Sequence, residues 1–307
     1  MSTSVKVFWV LTIGEFILGT LGNGFIALVN CMKWVKNGKF TSVDFLLTSL
    51  AMTRIVQLWI TLPDSFIVGF FPHLYATGEL ARAFTVLWTL NHHLATWFAT
   101  CLSIFYFLKI ANFSNSLFIW LKWRMNSVVL VLFLGSFFLL FVNLLIQDSF
   151  IEHWKGTYRV YERNMTLNDI TETFQRHSLV ISLIYVIPFL LSLTSLVLLF
   201  LSLVRHTKNL QLKSLNSKDS YTEAHRRAMT SVAAFLLLLI IYFTVCLTAN
   251  WILFEIQRYQ AIMIIMMFSM TFPSVHSFII ILGNRKLRQS ALRILGHLKL
   301  SGRKTRP

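Results

Sequence analysis

Three consecutive polar residues, Asn91, His92 and His93, interrupt an otherwise apolar stretch from Trp88 to Lys109, WTLNHHLATWFATCLSIFYFLK. An amide and two imidazoles can donate and accept hydrogen bonds, and imidazole can also carry a proton or bind a metal. At helical spacing Trp88, Asn91, His92 and Ala95 share one face, while His93 lies with Trp97 on another. His92 is therefore expected to face a cavity and His93 a neighbouring helix. No carboxylate or cysteine is spaced to complete a metal site with these histidines. The chain also lacks a Gly-rich phosphate loop, an H-E-x-x-H and a G-x-S-x-G. The chemistry implied is hydrogen-bonded recognition of a small molecule, with no catalytic set, cofactor or metal.

Other polar groups lie inside apolar runs: Glu15, Asn23, Arg54, Asp64, Asn143, Asn250 and His276. Such groups are costly at bilayer depth and face the interior of a bundle. Glu15 and Asn23 share a helix face. Arg54 stays protonated and must find acceptors; Asn23 and the His276–Ser277 region are the candidates. Glu15, Asn23, Arg54, His276 and Ser277 thus form an expected intramembrane polar network. It reads either as a clamp between the first, second and last spans or as a switch that rearranges on activation.

These residues need a scaffold, and hydropathy supplies it. The 307 residues are 56% hydrophobic, above the 45–50% or so of soluble domains. Runs long enough to cross a membrane, about 20 residues each, fall at about 7–31, 45–70, 83–110, 127–147, 178–204, 230–254 and 261–282. The first is too long for the core of a cleavable signal. The fold class expected is an all-α membrane protein: one seven-transmembrane helix bundle over residues 1–307, with a short cytoplasmic amphipathic helix in the basic tail, 283–307. In that tail Leu287, Ala291, Leu292, Leu295 and Leu298 recur at helical spacing with Arg288, Arg293 and Lys299 between them, which suits contact with membrane lipids. The net charge of +16 does not point to nucleic acid, because the cations lie between apolar runs. With the amino terminus outside, the inner loops and tail, with Lys109 at the inner end of its span, hold 20 of the 28 Lys and Arg, as the positive-inside bias requires. The tail is then cytoplasmic. Asn164-Met165-Thr166 falls in an outer loop and is a glycosylation acceptor, whereas Asn112-Phe113-Ser114 falls inside. In the loop expected over 111–126, Lys122 and Arg124 beside Trp120 and Trp123 suit a headgroup interface. Cys31, Cys101 and Cys246 all lie in apolar runs, so no disulfide framework is expected.

Six blocks resemble taste receptor type 2, the bitter taste receptor family of seven-helix G protein-coupled receptors. They are EFILGTLGNGFIALVN (Glu15 to Asn30), LLTSLAMTR (Leu46 to Arg54), WFATCLSIFYFLKIANFS (Trp97 to Ser114), SLVRHTKNLQ (Ser202 to Gln211), EAHRRAM (Glu223 to Met229) and PSVHSFIIILGNRKLRQ (Pro273 to Gln289). The resemblance covers almost the whole chain. The chain also lacks an acidic-Arg pair after span three, an N-P-x-x-Y in span seven and an outer cysteine. The resemblance implies small bitter molecules binding from outside, between spans two, three, five, six and seven. It also implies coupling to a heterotrimeric G protein of gustducin or inhibitory type, at the plasma membrane. The ligand-facing residues expected are Thr85, Trp88, Asn91, His92, Tyr242, Met263 and Met266. Lys109, His206, His225 and Arg226 are expected to face the G protein. Two departures stand out. The family often has Asn-His four residues after the span-three Trp; here His92 occupies the Asn position and Asn91 comes one residue early. Some members have an acid where this chain has Met266. A vomeronasal type 1-like chemoreceptor is the alternative within the seven-helix class, and a small transporter or channel is the alternative outside it.

Overall fold

The computed structural model describes the backbone of residues 3–39, 41–71, 79–161, 167–213, 220–256 and 259–304. Side chains are described for 6–39, 41–67, 70–71, 79–80, 82–149, 182–208, 227–245, 267, 270–294 and 296. Among the described residues the chain is helical throughout: α1 (Thr3–Asn37), α2 (Ser42–Phe70), α3 (Glu79–Ile110), α4 (Ser116–Trp123), α5 (Met125–Tyr161), α6 (Leu167–Lys213), α7 (Ser220–Ile256), α8 (Tyr259–Gly283) and α9 (Arg285–Lys304). With no water to satisfy backbone polar groups in lipid, the helix is the structure available to an open chain that crosses. Six helices, α1, α2, α3, α5, α6 and α7, carry described stretches long and apolar enough to cross. The seventh, α8, is 25 residues long, and its described apolar part is Met270–Gly283. The protein is therefore an all-α, multi-pass membrane bundle.

The helices run past the apolar spans. α6 has 47 residues, well beyond the roughly 20 needed to cross, because its flanking polar residues do not break a helix. Local chemistry sets the other ends. α1 stops at Asn37, where Gly38 takes a left-handed φ of 64° that a side chain disfavours. Thr41 and Asp44 form a capping box at the start of α2, and Lys33 pairs with Asp44 across the turn. The segment 111–126, read as a loop, instead contains α4. This eight-residue helix is capped by the Asn115 side chain, which accepts from the Leu117 amide at 2.9 Å.

α3 is the central helix, packed against α2, α5 and α6, while α1 and α7 both lean on α8. The main apolar core lies in the half of the bundle that holds the end of α3: Leu47 and Leu50 of α2, Phe105 and Leu108 of α3, Leu199 of α6 and Leu287 of α9 are all buried. Toward the opposite half, buried positions include Asn91, His92, His93, Asn143 and Gln147. The apolar half therefore holds the bundle together, and the polar half is free to carry a site. Pro188, inside α6, is tied to α3 at this depth. The Thr100 hydroxyl lies 3.3 Å from the Pro188 carbonyl, and Ser192 Oγ donates to Thr100 Oγ1 at 2.9 Å.

Candidate functional site

His92 sits among aromatic rings from three helices. Its imidazole stacks on Trp88 one turn away, with centroids 4.5 Å apart and planes at 9°. The ring of Tyr185 from α6 meets it edge-on at 4.9 Å. Tyr242 of α7 brings its hydroxyl to 3.3 Å from Nδ1 and 3.4 Å from Nε2. That hydroxyl can serve whichever nitrogen the tautomer leaves available. Thr85, one turn before Trp88 on α3, is half-buried. Tyr185 was not anticipated as a site residue, because a lone tyrosine in an apolar run carries no distinguishing signal. It accepts from Asn143 Nδ2 of α5 at 3.2 Å. Asn143 Oδ1 accepts from Gln147 at 3.4 Å, and Gln147 Oε1 accepts from Thr89 of α3 at 2.8 Å. This buried chain of polar groups fixes the α3–α5–α6 side of the site.

The neighbours of His92 point elsewhere. His93 is buried, lies 3.2 Å from Ser136 Oγ of α5 and packs near Trp97 and Phe137. Asn91 Nδ2 donates to the Thr53 backbone carbonyl of α2 at 2.9 Å, so its amino group serves helix packing. Consecutive residues turn by about 100° on a helix, which sends three adjacent side chains to three different neighbours. Met263 and Met266 lie where side chains are outside the described residues, as do His225 and Arg226; Asn164 lies outside them altogether. Lys109 and His206 are exposed near the ends of α3 and α6, and Lys109 Nζ lies 5.5 Å over the Phe105 ring.

From His92 the rings continue toward Arg54. Tyr242 stacks on Phe272 of α8 at 4.1 Å, and Phe272 lies 5.9 Å from His276. His276 is stacked on Phe235 of α7 at 3.9 Å. The fully buried Arg54 is hydrogen-bonded to His276 Nδ1 and donates through Nη1 to Ser277 Oγ at 3.3 Å. Ser277 Oγ in turn donates to Asn23 Oδ1 at 2.6 Å, with the Pro273 carbonyl 2.7 Å away. Asn23 Nδ2 donates to the Gly19 carbonyl at 2.8 Å. Arg54 thus reaches Asn23 through Ser277. Glu15 stands apart from this cluster and accepts from Thr271 of α8. The helices approach closely here: a Cβ on Gly19 would lie 2.5 Å from Ser274 Oγ and 2.8 Å from a Leu58 methyl.

Seven long helices surround an aromatic and polar centre, and no metal-ligating cluster occurs among the described residues. That arrangement defines a multi-pass helical membrane protein with a buried polar centre. The family model described as Taste receptor protein (TAS2R) matches residues 1–299, and the chain belongs to that family. It is a receptor, not an enzyme. Taste receptor type 2 member 42 of Pan troglodytes is 50% identical over 297 residues, covering 96% of this chain and 95% of that one. The Homo sapiens protein of that name is 49% identical over the same shares. Taste receptor type 2 member 7 of Macaca mulatta is 42% identical over 300 residues, 96% of this chain and 94% of that one.

Proposed function

We propose that this protein is a bitter taste receptor whose ligands enter from outside the cell and bind over His92. The observation that carries this reading is the placing of one imidazole among Trp88, Tyr185 and Tyr242, on helices from three parts of a taste receptor chain. Flat, apolar ligands with one or two polar atoms suit such a centre: the rings offer stacking area, and the imidazole and phenol offer donors and acceptors. Thr85, Met263 and Met266 complete the proposed pocket, and Asn91 holds α3 against α2 beside it. The contacts from His92 through Tyr242, Phe272 and His276 to Arg54 are contiguous. Ligand that favours one arrangement of these rings shifts the population of the bundle. The inner face, with Lys109, His206, His225 and Arg226, then engages a heterotrimeric G protein of gustducin or inhibitory type. The receptor is placed in the plasma membrane with its amino terminus outside, its tail in the cytoplasm and Asn164 glycosylated.

The test is an agonist screen with a bitter-compound panel in cells carrying a chimeric G protein, with calcium as readout and surface staining as control. His92→Ala is expected to shift agonist potency while surface staining persists. A ligand-evoked current without G protein, or His92→Ala potency unchanged across every agonist found, refutes the reading.

A further inference from the structure

The eight residues of α4 divide sharply. Phe118 is buried, edge-on to Phe107 at 5.3 Å and to Phe113 at 5.2 Å. One turn on, Lys122 donates to the Ala111 carbonyl at 2.8 Å, with its ammonium 5.6 Å over the Phe118 ring. These two residues fasten the helix to the bundle. The opposite stripe is bare: Leu117 is 62% exposed, Trp120 52% and Trp123 86%. The Arg124 guanidinium lies over the Trp120 ring at 5.4 Å and is itself exposed.

Three observations choose the occupant of this stripe. Large exposed indoles favour the boundary between headgroups and hydrocarbon over open water. The stripe runs directly into the outward face of α5, where Leu130, Val131, Leu134 and Phe138 are exposed along the apolar span; it therefore looks outward to lipid. The charge is one-sided, since no Asp or Glu occurs between Glu79 and Asp148. The exposed Arg124 guanidinium, seated over the Trp120 ring, is a fork of N–H donors that matches two oxygens of a phosphate. We propose that α4 is an in-plane anchor that holds an anionic phospholipid. Its headgroup phosphate lies on Arg124, and its upper acyl chain lies along Leu117, Trp120 and Trp123.

The test uses full-length receptor in phosphatidylcholine nanodiscs with or without phosphatidylserine. Phosphatidylserine retained through detergent extraction is measured by lipid mass spectrometry. Quenching of tryptophan emission by brominated phosphatidylserine is measured alongside. Arg124→Gln is expected to lower serine-lipid retention about five-fold, the contribution of one interfacial cation, with Arg124→Lys in between. Trp123→Phe is expected to remove part of the emission quenched by the serine lipid, the remainder coming from other exposed indoles such as Trp59 and Trp120. Both positions are exposed, so a monodisperse size-exclusion peak is expected for each variant. Equal retention and quenching in wild type and both variants overturns the proposal. So does unchanged retention accompanied by loss of G protein turnover in neutral discs, which assigns the stripe to the G protein instead. A brominated phosphatidylcholine that quenches as well as the serine lipid overturns the headgroup preference.

Discussion

Ser277→Ala tests the junction of α1, α2 and α8. Ser277 Oγ receives a bond from Arg54 at 3.3 Å and gives one to Asn23 at 2.6 Å. Both partners are essentially inaccessible to solvent. A hydrogen bond from a charged donor contributes roughly 1.5–3 kcal/mol and a neutral one about 1 kcal/mol. Interhelical bonds in membrane bundles average nearer 0.6 kcal/mol, because the separated helices find other partners. Together these bracket the loss of the two bonds at about 1–4 kcal/mol. At about 2.1 cal/mol/K per residue over 307 residues that corresponds to a fall in Tm of about 2–6 °C. The assay is recovery of monodisperse receptor after heating, by fluorescence-detected size exclusion. Ser274→Ala is the control, because Ser274 Oγ donates within its own helix, to Met270 at 3.1 Å, and is expected to shift Tm by less than half as much. Asn23→Ala combined with Ser277→Ala is expected to cost less than the two single losses summed, since they share one bond. Ser277→Ala within 1 °C or so of wild type, or no larger than Ser274→Ala, refutes the junction as a stability element.

His93→Phe is expected to lower Tm through loss of the Ser136 contact while leaving agonist potency within about two-fold, since His93 faces α5; a large potency shift in a calcium assay counts against the division of the two histidines. Tyr242→Phe keeps the stack on Phe272 but removes the hydroxyl at His92, and is expected to lower maximal response more than surface expression, read by concentration-response curves. Gly19→Val is expected to reduce folded receptor severely, because its first side-chain atom already meets Ser274 Oγ and Leu58 below 3.0 Å; normal yield by size exclusion contradicts the close approach.

The seven spans were legible because lipid imposes a length and a composition that hydropathy reads directly. The side-chain partners were legible only where type restricts choice. Arg54 must find acceptors, and few polar groups lay at its depth, so Ser277 and His276 could be named. Asn91 was not readable in this way: its acceptor is the Thr53 backbone carbonyl, which every residue possesses. Phe235 and Phe272 frame His276, yet they are two among 28 phenylalanines, and only the fold distinguishes them. α4 escaped because eight residues mixing Trp, Lys and Leu form no long apolar run. α6 extends past its apolar span at both ends, because the flanking polar residues continue the helix.

Pro188 divides α6 unequally. About 25 residues separate it from Lys213, roughly 38 Å of helix at the usual rise per residue. A bend change of about 5° at the proline therefore carries the Lys213 end sideways by about 3 Å. The hydroxyls of Thr100 in α3 and Ser192 in α6 sit at the fulcrum of this lever, about two turns beyond His92 along α3. A displacement too small to disturb packing around Pro188 becomes, at the Lys213 end, the width of a side chain.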